Sequence, residues 1–499
     1  MLNLKDLGEP SEFWEYFEKV SKIPRCSEHE EKIRAYIKEE SERLGFESRT
    51  DATGNLVIRI PAKGGQKSKC VLQCHMDMVC EKNESTIHDF SKDPLKLKIE
   101  EINNEKWLTA EGTTLGADNG VGICYILTIM KKIQQGELNF DSLGLDLLFT
   151  IDEEQGLRGA FKIENDFIEG NYLINLDSEE DDAVTIGCAG GLVHFIEINK
   201  DTESLNLDKK EFIPIKVFIS GLMGGHSGVD IHLGRGNAIK IIGELLWKLK
   251  NKYSINIISI DGGGDRTNVI PREATTTFYI EEMKESEIFD FINSTFKDIR
   301  TIFDGIEPNL NLSIKKLEDY SDTSVLESHL QEKLLDIIYL MPCGPISMHP
   351  RIKGLVFTSS NFAAIFTREN NIEIKISQRS LSKYFKYVIW EQTKSLVELC
   401  GLEVKIKKDS DYPGWTPNFQ SKLLTNCKDT YNEIFNDNIK IKAIHAGLEC
   451  GILKEKFPKM EMISIGPTND GAHSPDEKLK VKSVEKVWKL LINLLKKLS

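Results

Sequence analysis

Two histidines and five carboxylates stand where the chain leaves an apolar run, and together they have the donor set of a metal site. His75 and Asp77 follow KCVLQC, Glu153 and Glu154 follow DLLFTI, Asp177 follows YLINL, and His473 lies seven residues past Gly466, where MEMISIG ends. Asp118 joins them from LGADNGVG, a glycine-flanked turn opening a helix. Imidazole nitrogen and carboxylate oxygen are donors that suit divalent ions such as zinc. The spacing adds to the case. In His75-x-Asp77 a carboxylate can hold the ring nitrogen that faces away from an ion, fixing the tautomer. In Glu153-Glu154 one carboxylate can bind while its neighbour stays free as a base. Taken singly, each residue has a plainer explanation, since strand-end carboxylates commonly cap helices or close turns. Their coincidence at the ends of several apolar runs is what favours a shared site.

For groups spread over almost 400 residues to meet, the runs that precede them must be neighbours in one sheet with their carboxyl ends at one edge, where open α/β sheets bind ligands. The pattern allows this. Residues 9 to 45 have helical periodicity, with Trp14, Phe17, Val20, Ile33, Ile37 and Leu44 on apolar faces interrupted near Pro24. The runs NLVIRI, KCVLQC, DLLFTI and YLINL then alternate with helical stretches, including a long one from Asn119 to about Lys132, which predicts an α/β unit with a mixed, largely parallel sheet. Near residue 207 the charged stretch INKDTESLNLDKKEF breaks the pattern. A new α+β set follows (IKVFISG, NAIKIIGELLWKLK, INIISI, ATTTFYI), and beyond about 305 a second of similar size (HLQEKLLDIIYL, LVFTSSNFAAIF, IEIKISQRS, YVIWEQTKSLVELC). The expected organisation is a first part over 1–206, a two-part inserted domain over 207–400, and a return over 401–499 that completes the first sheet.

Composition narrows the function. With 499 residues, 40% hydrophobic and 28% charged, the chain is long enough for two or three packed units and too apolar for disorder. Its net charge of −14 argues against nucleic acid or an anionic membrane as the main partner, despite a Lys-rich C-terminal tail. No run reaches the roughly 18 apolar residues of a membrane span, and the first residues are acidic and amphipathic rather than leader-like. Ten scattered cysteines without a CxxC pair read as buried free thiols, and the expected compartment is the cytoplasm. The glycine runs match neither GxxxxGK[ST] nor a GxGxxG opening a first βα unit, which argues against a nucleotide-binding protein.

Seven segments carry a resemblance to a known family: VLQCHMDMVCEK (71–82), TTLGADNGVG (113–122), TIDEEQGLRGA (150–160), NLDSEE (175–180), GGHSGVDIHLGRGNA (224–238), IHAGLECG (444–451) and GAHSPDE (471–477). They are similar to the bacterial aminoacyl-histidine dipeptidases, a branch of the co-catalytic zinc superfamily of dipeptidases and deacylases. The resemblance implies a zinc-peptidase catalytic domain interrupted by a lid domain, and cleavage of small peptides with a free N-terminus, Xaa-His dipeptides among them. It makes Asp118 the bridge between two zinc ions, with His75 and Asp177 on one and Glu154 and His473 on the other. Manganese or cobalt are expected substitutes. Asp77 becomes the partner of His75, Glu153 the general base acting on a bridging hydroxide, and the Asp118–Asn119 peptide bond is expected to be cis. From the insert, His226 is expected to stabilise the transition state, and Asn268 and Arg379 to bind the substrate's backbone and C-terminal carboxylate. Arg351 and Arg235 compete for the carboxylate, and His445 falls in a loop that contacts substrate in relatives. Oligomeric state stays open: a two-part insert could supply within one chain the lid contacts that smaller relatives obtain by dimerising, while the resemblance implies a homodimer. Within the same superfamily the alternative is an N-acyl amino acid deacylase. A catalytically dead binding protein on the same scaffold is disfavoured, because no ligand or base is missing.

Overall fold

The computed structural model describes residues 4–65, 68–205, 212–318, 320 and 322–499. The chain divides into two compact units. The first comprises Met1–Gly187, Trp415–Ala443 and Leu448–Ser499, and the second Cys188–Gly414 with Ile444–Gly447.

Among the described residues the first unit holds an eight-stranded mixed sheet. Its centre is parallel: Ser68–His75 pairs in parallel with Leu143–Thr150 on one side and Tyr172–Asn175 on the other, and Glu461–Ser464 continues in parallel beyond Tyr172–Asn175. Leu56–Ile60 and Ala183–Cys188 flank this centre antiparallel. The central strands are buried along both faces, as their unbroken Val, Ile and Leu content requires. Register sets the site. His75 is level with Thr150, and Gln73 is level with Asn175, so Asp177 stands as far past the sheet as His75 does. Four chain segments thus leave the sheet at one edge.

The Ala117–Gln134 helix crosses this sheet and is buried on all sides from Ala117 through Met130, save Asp118, the pattern expected of an apolar central helix. Phe13 of the Ser11–Val20 helix packs on its Tyr125 with ring centroids 4.8 Å apart. Gly122 permits its approach to the sheet, since a β-carbon there would lie 2.5 Å from Cys74 Cβ. The helix is irregular at its start: Asp118 and Asn119 leave helical geometry, and the peptide bond between them is cis.

Among the described residues the second unit is built on a nine-stranded sheet of its own, in which the Ile255–Gly263 strand meets Val356–Thr367 at Gly262 and Gly263. The two halves of the insert therefore share one sheet. Its helices are locally well specified; Asn237, for example, caps Ala238–Lys250 by accepting from the N–H groups of Ile239 and Lys240.

Three expectations change. Residue 207, where the insert was expected to start, lies outside the described residues, and Gly190–Asn199 already belongs to the second unit's sheet, paired along its length with Asn371–Ser380. Position 400 is not the other limit either. Val404–Tyr412 pairs with Gly190–Asn199, so the chain returns to the first unit only at Trp415. Short alternating strands look alike in sequence whichever sheet they join. The third concerns the thiols: eight cysteines are free, but Cys26 and Cys80 form a disulfide. A parallel bridge between Cys26 and Met78 lays their segments side by side, with Cα atoms 5.7 Å apart, a proximity hidden by a separation of 54 residues.

Candidate metal centre

Two histidine–carboxylate sets converge at the strand edge of the first unit and share Asp118. Donor atoms of His75, Asp118 and Asp177 lie within 4.8 Å of one another, as do those of Asp118, Glu154 and His473, and those of His75, Glu153 and Glu154. His75 Nε2 is 2.9 Å from Asp118 Oδ1 and 3.3 Å from Asp177 Oδ1. His473 Nε2 is 3.1 Å from Asp118 Oδ2 and 3.0 Å from Glu154 Oε2. Each oxygen of Asp118 therefore faces a different set. Asp77 stands behind His75, its Oδ1 3.2 Å from His75 Nδ1, and also accepts hydrogen bonds from Ser27 Oγ (2.8 Å) and from the N–H groups of Glu153 and Glu154. One buried carboxylate thus orients the imidazole and fixes the acidic pair.

The loops bearing these groups are tied down by residues that sequence reasoning missed. Glu477, almost wholly buried, accepts four backbone N–H bonds from the Asp118 loop: Leu115 (2.7 Å), Gly116 (2.8 Å), Ala117 (2.8 Å) and Asp118 itself (3.2 Å). Arg25, also buried, donates to the carbonyls of Met76 (3.1 Å), Asp77 (2.7 Å) and Gly116, joining the His75 and Asp118 loops. Beneath the site Glu449 accepts from Gln73 (2.6 Å) and Thr150 (2.7 Å), one on each of two adjacent central strands, while Asn175 donates to Gln73 (2.6 Å). Glu449 and Glu477 fall inside segments that resemble the family, which is the one signal that singles them out.

Electrostatics test whether cations belong here. Burial, reinforced by Asp118, raises the Asp177 carboxyl to about 7, and burial with neighbouring carboxylates raises Glu153 and Glu154 as well. Hydrogen bonds to Asp118 and Glu154 hold His473 up to about 11. For His75, burial alone would lower the pKa, but Asp177, Asp118 and Asp77 outweigh it and raise it. Asp118 stays below the usual carboxylate range because both histidines outweigh its burial. Glu154 Oε1 is buried without a hydrogen-bond partner. Three crowded carboxylates, two imidazoles and an unsatisfied oxygen are a donor set that divalent cations fit, because the cations would replace protons as the compensating charge.

The other expected residues lie in the second unit and gather there. Ser227 N–H donates to the Asn268 carbonyl (2.8 Å), and His226 forms a bridge with Val269. Arg379 is level with Ser359 on the paired strand, and Ser359 Oγ lies 2.7 Å from His445 Nε2. Arg379 donates to the Tyr412 hydroxyl (2.6 Å) and keeps a buried Nε without a partner. His445 is driven down to about 3 by burial and by the Arg379 charge, so its ring is neutral at ordinary pH. The 444–447 segment holding His445 packs with the second unit, although the strands before and after it belong to the first sheet. Arg235 is engaged by the Gly224 carbonyl (2.6 Å) and Asp230 (3.4 Å).

An α/β sheet with two sets of donors sharing one aspartate is the arrangement of a metal-dependent hydrolase, and the family match makes it a peptidase. The chain belongs to peptidase family M20/M25/M40, whose model matches residues 71–497. It is 36% identical over 493 residues to the cytosol non-specific dipeptidase of Escherichia coli (strain K12), covering 98% of each chain. Among solved structures it is similar to the aminoacylhistidine dipeptidase of Vibrio alginolyticus, with 35% identity, a TM-score of 0.85, and coverage of 98% of this chain and 97% of that one.

Proposed function

We propose that the protein is a dipeptidase carrying two divalent ions, zinc in the first instance with manganese or cobalt as substitutes, that cleaves dipeptides with a free N-terminus, Xaa-His dipeptides included. The observation that carries this reading is the pair of donor sets sharing the two oxygens of Asp118. His75, Asp118 and Asp177 would hold one ion, and His473, Asp118 and Glu154 the other. Bound there, the ions would supply Lewis acidity and lower the pKa of water toward neutrality. The dipeptidase names of the Escherichia coli and Vibrio alginolyticus relatives support the hydrolytic reading. A cytoplasmic location follows the name of the Escherichia coli relative.

The protein's own groups do the proton work. Glu153 adjoins the ligand Glu154, is not itself needed as a ligand, and has its basicity raised by burial and by nearby carboxylates. It accepts the proton of the attacking water and returns it to the leaving amine, so no covalent intermediate forms. Asp77 keeps His75 in its binding orientation throughout. In the second unit His226 donates to the developing oxyanion, while Asn268, Arg379 and His445 hold the substrate's backbone and C-terminal carboxylate, for which arginine's two-pronged donor geometry is suited. The test is hydrolysis of β-Ala-His, Gly-His, Leu-Gly, a tripeptide and an N-acetyl amino acid after metal stripping and after re-addition of zinc, manganese or cobalt. Dipeptide cleavage should vanish on stripping and return with metal. Full turnover by protein shown metal-free by elemental analysis would overturn the reading.

A further inference from the structure

The segment after Asp177 is a run of four acids, and three of them are neutralised by lysines. Glu180 pairs with Lys442, Asp181 with Lys486 and Asp182 with Lys440. Glu179 differs: its side chain is exposed, and among the described residues its carboxylate has neither an ion pair nor a hydrogen bond. It lines a small cavity together with Asp118, Asn119, Asp177 and Asn469, so it opens onto the same space as two of the proposed metal ligands. Its position there is fixed by the main chain, since the Glu179 carbonyl accepts from Asn469 N–H at 3.3 Å, four residues before His473. Its charge is also surplus to the ions. The carboxylates of Asp118, Glu154 and Asp177 with one hydroxide would already balance two divalent cations.

We propose that Glu179 binds the α-ammonium group of the substrate and thereby selects dipeptides with a free N-terminus over N-acylated amino acids. This rests on the dipeptidase reading and deepens it. In a dipeptide the amine nitrogen is only about 2.5 Å from the scissile carbonyl carbon. A carboxylate meant for it must therefore lie beside the metal ligands, as Glu179 does in the cavity it lines with Asp118 and Asp177. An ammonium group entering that cavity gains the counter-charge Glu179 lacks. An N-acyl amino acid, whose acyl carbonyl is itself the scissile one, has only an alkyl group where the amine would be; that group covers the carboxylate and leaves it desolvated and unpaired, which is how a polar site rejects an analogue missing the recognised group.

The experiment titrates metal-loaded protein calorimetrically with a phosphinic analogue of Leu-Gly and with its des-amino counterpart, alongside hydrolysis of Leu-Gly and N-acetyl-leucine. Wild-type protein should prefer the amine-bearing analogue by about 30-fold or more, the scale set by truncating one partner of a desolvated charge pair. E179Q should bring the two analogues within about threefold by weakening only the amine-bearing one, and E179D should recover part of the preference. Metal content should not change. An E179Q protein that keeps the wild-type preference, or that loses a metal, overturns the assignment of Glu179 and leaves the dipeptidase reading standing. A wild-type preference for the amine that E179Q abolishes, in a protein that hydrolyses no dipeptide, would uphold the anchor and sink the reading. Preferential hydrolysis of N-acetyl-leucine by the wild type would overturn both.

Discussion

Replacing Glu477 with glutamine should weaken both metal sites at once. Each oxygen of the Glu477 carboxylate takes two backbone N–H bonds, Oε2 from Leu115 and Gly116 and Oε1 from Ala117 and Asp118. Glutamine keeps one acceptor oxygen and turns the other position into an NH2 group facing two N–H donors. Two charge-assisted bonds are lost, worth about 1.5–3 kcal/mol each, so the gross cost is about 3–6 kcal/mol. Part is recovered because a neutral amide is cheaper to bury than this carboxylate, whose pKa burial already raises. A net loss of about 2–4 kcal/mol remains. It divides between the stability of the metal-free protein and the metals, according to how far the loop relaxes when its anchor fails. If half reaches the metals, affinity falls about 5- to 30-fold, at 1.4 kcal/mol per factor of ten.

The sharing of Asp118 gives this loss a signature. One of its oxygens faces His75 and Asp177 and the other faces His473 and Glu154, so a displaced Asp118 loosens both ions together. His473→Ala should weaken one ion far more than the other. Chelator competition resolving the two dissociation constants, with thermal melts of stripped and loaded protein, measures both effects. If Glu477→Gln leaves both dissociation constants and the metal-free melting temperature within error of wild type, the four N–H bonds do not hold the Asp118 loop and the reasoning fails.

Glu153→Gln should retain both ions by elemental analysis while kcat drops by about 10²-fold or more, the scale of general acid–base catalysis; loss of one ion instead would mean that Glu153 and Glu154 exchange roles. Reducing the Cys26–Cys80 link, or replacing Cys26 with serine, should destabilise the protein by up to about 4 kcal/mol, the chain-entropy value for a loop closed across 54 residues. Denaturant titrations with and without reductant check this, and coincident curves would show that the link adds nothing. His194 is buried, lies 2.8 Å from Gln378 Oε1 and is lowered by burial to about 4. A histidine that stays neutral in the folded state binds its proton first in the unfolded chain, so its contribution is complete above pH 6.5 and drains away between about 6.5 and 4. About 3 kcal/mol should be lost over that window, and His194→Phe should flatten this part of the stability–pH curve.

What could be read from the sequence and what could not divide along a physical line. Six of the seven residues of the candidate metal site are legible because each follows an apolar run, and parallel pairing forces such ends to one edge; Asp118 is marked instead by the glycine-flanked turn that opens a helix. Knowing that Ser68–His75 lies between Leu143–Thr150 and Tyr172–Asn175 is nearly enough to bring His75, Glu153 and Asp177 together. The cis bond and the choice of Glu153 over Glu154 as the base came from resemblance, since no periodicity encodes them, whereas the pairing of Asp77 with His75 was already suggested by the His-x-Asp spacing. Glu477 and Arg25 escaped for a different reason. Their partners are main-chain groups, which every residue possesses, so no residue type across the chain announces the contact. The same holds for the Cys26–Cys80 pair, brought together by a backbone bridge at Met78. The limits of the insert went wrong at Gly190–Asn199 and Val404–Tyr412 because alternation reports that a strand has two unlike faces and says nothing about which sheet receives it. The side chains proposed to perform chemistry are therefore the legible part of this protein. The groups that hold them still bond mostly to the backbone, and they are where substitution should reveal function that the sequence conceals.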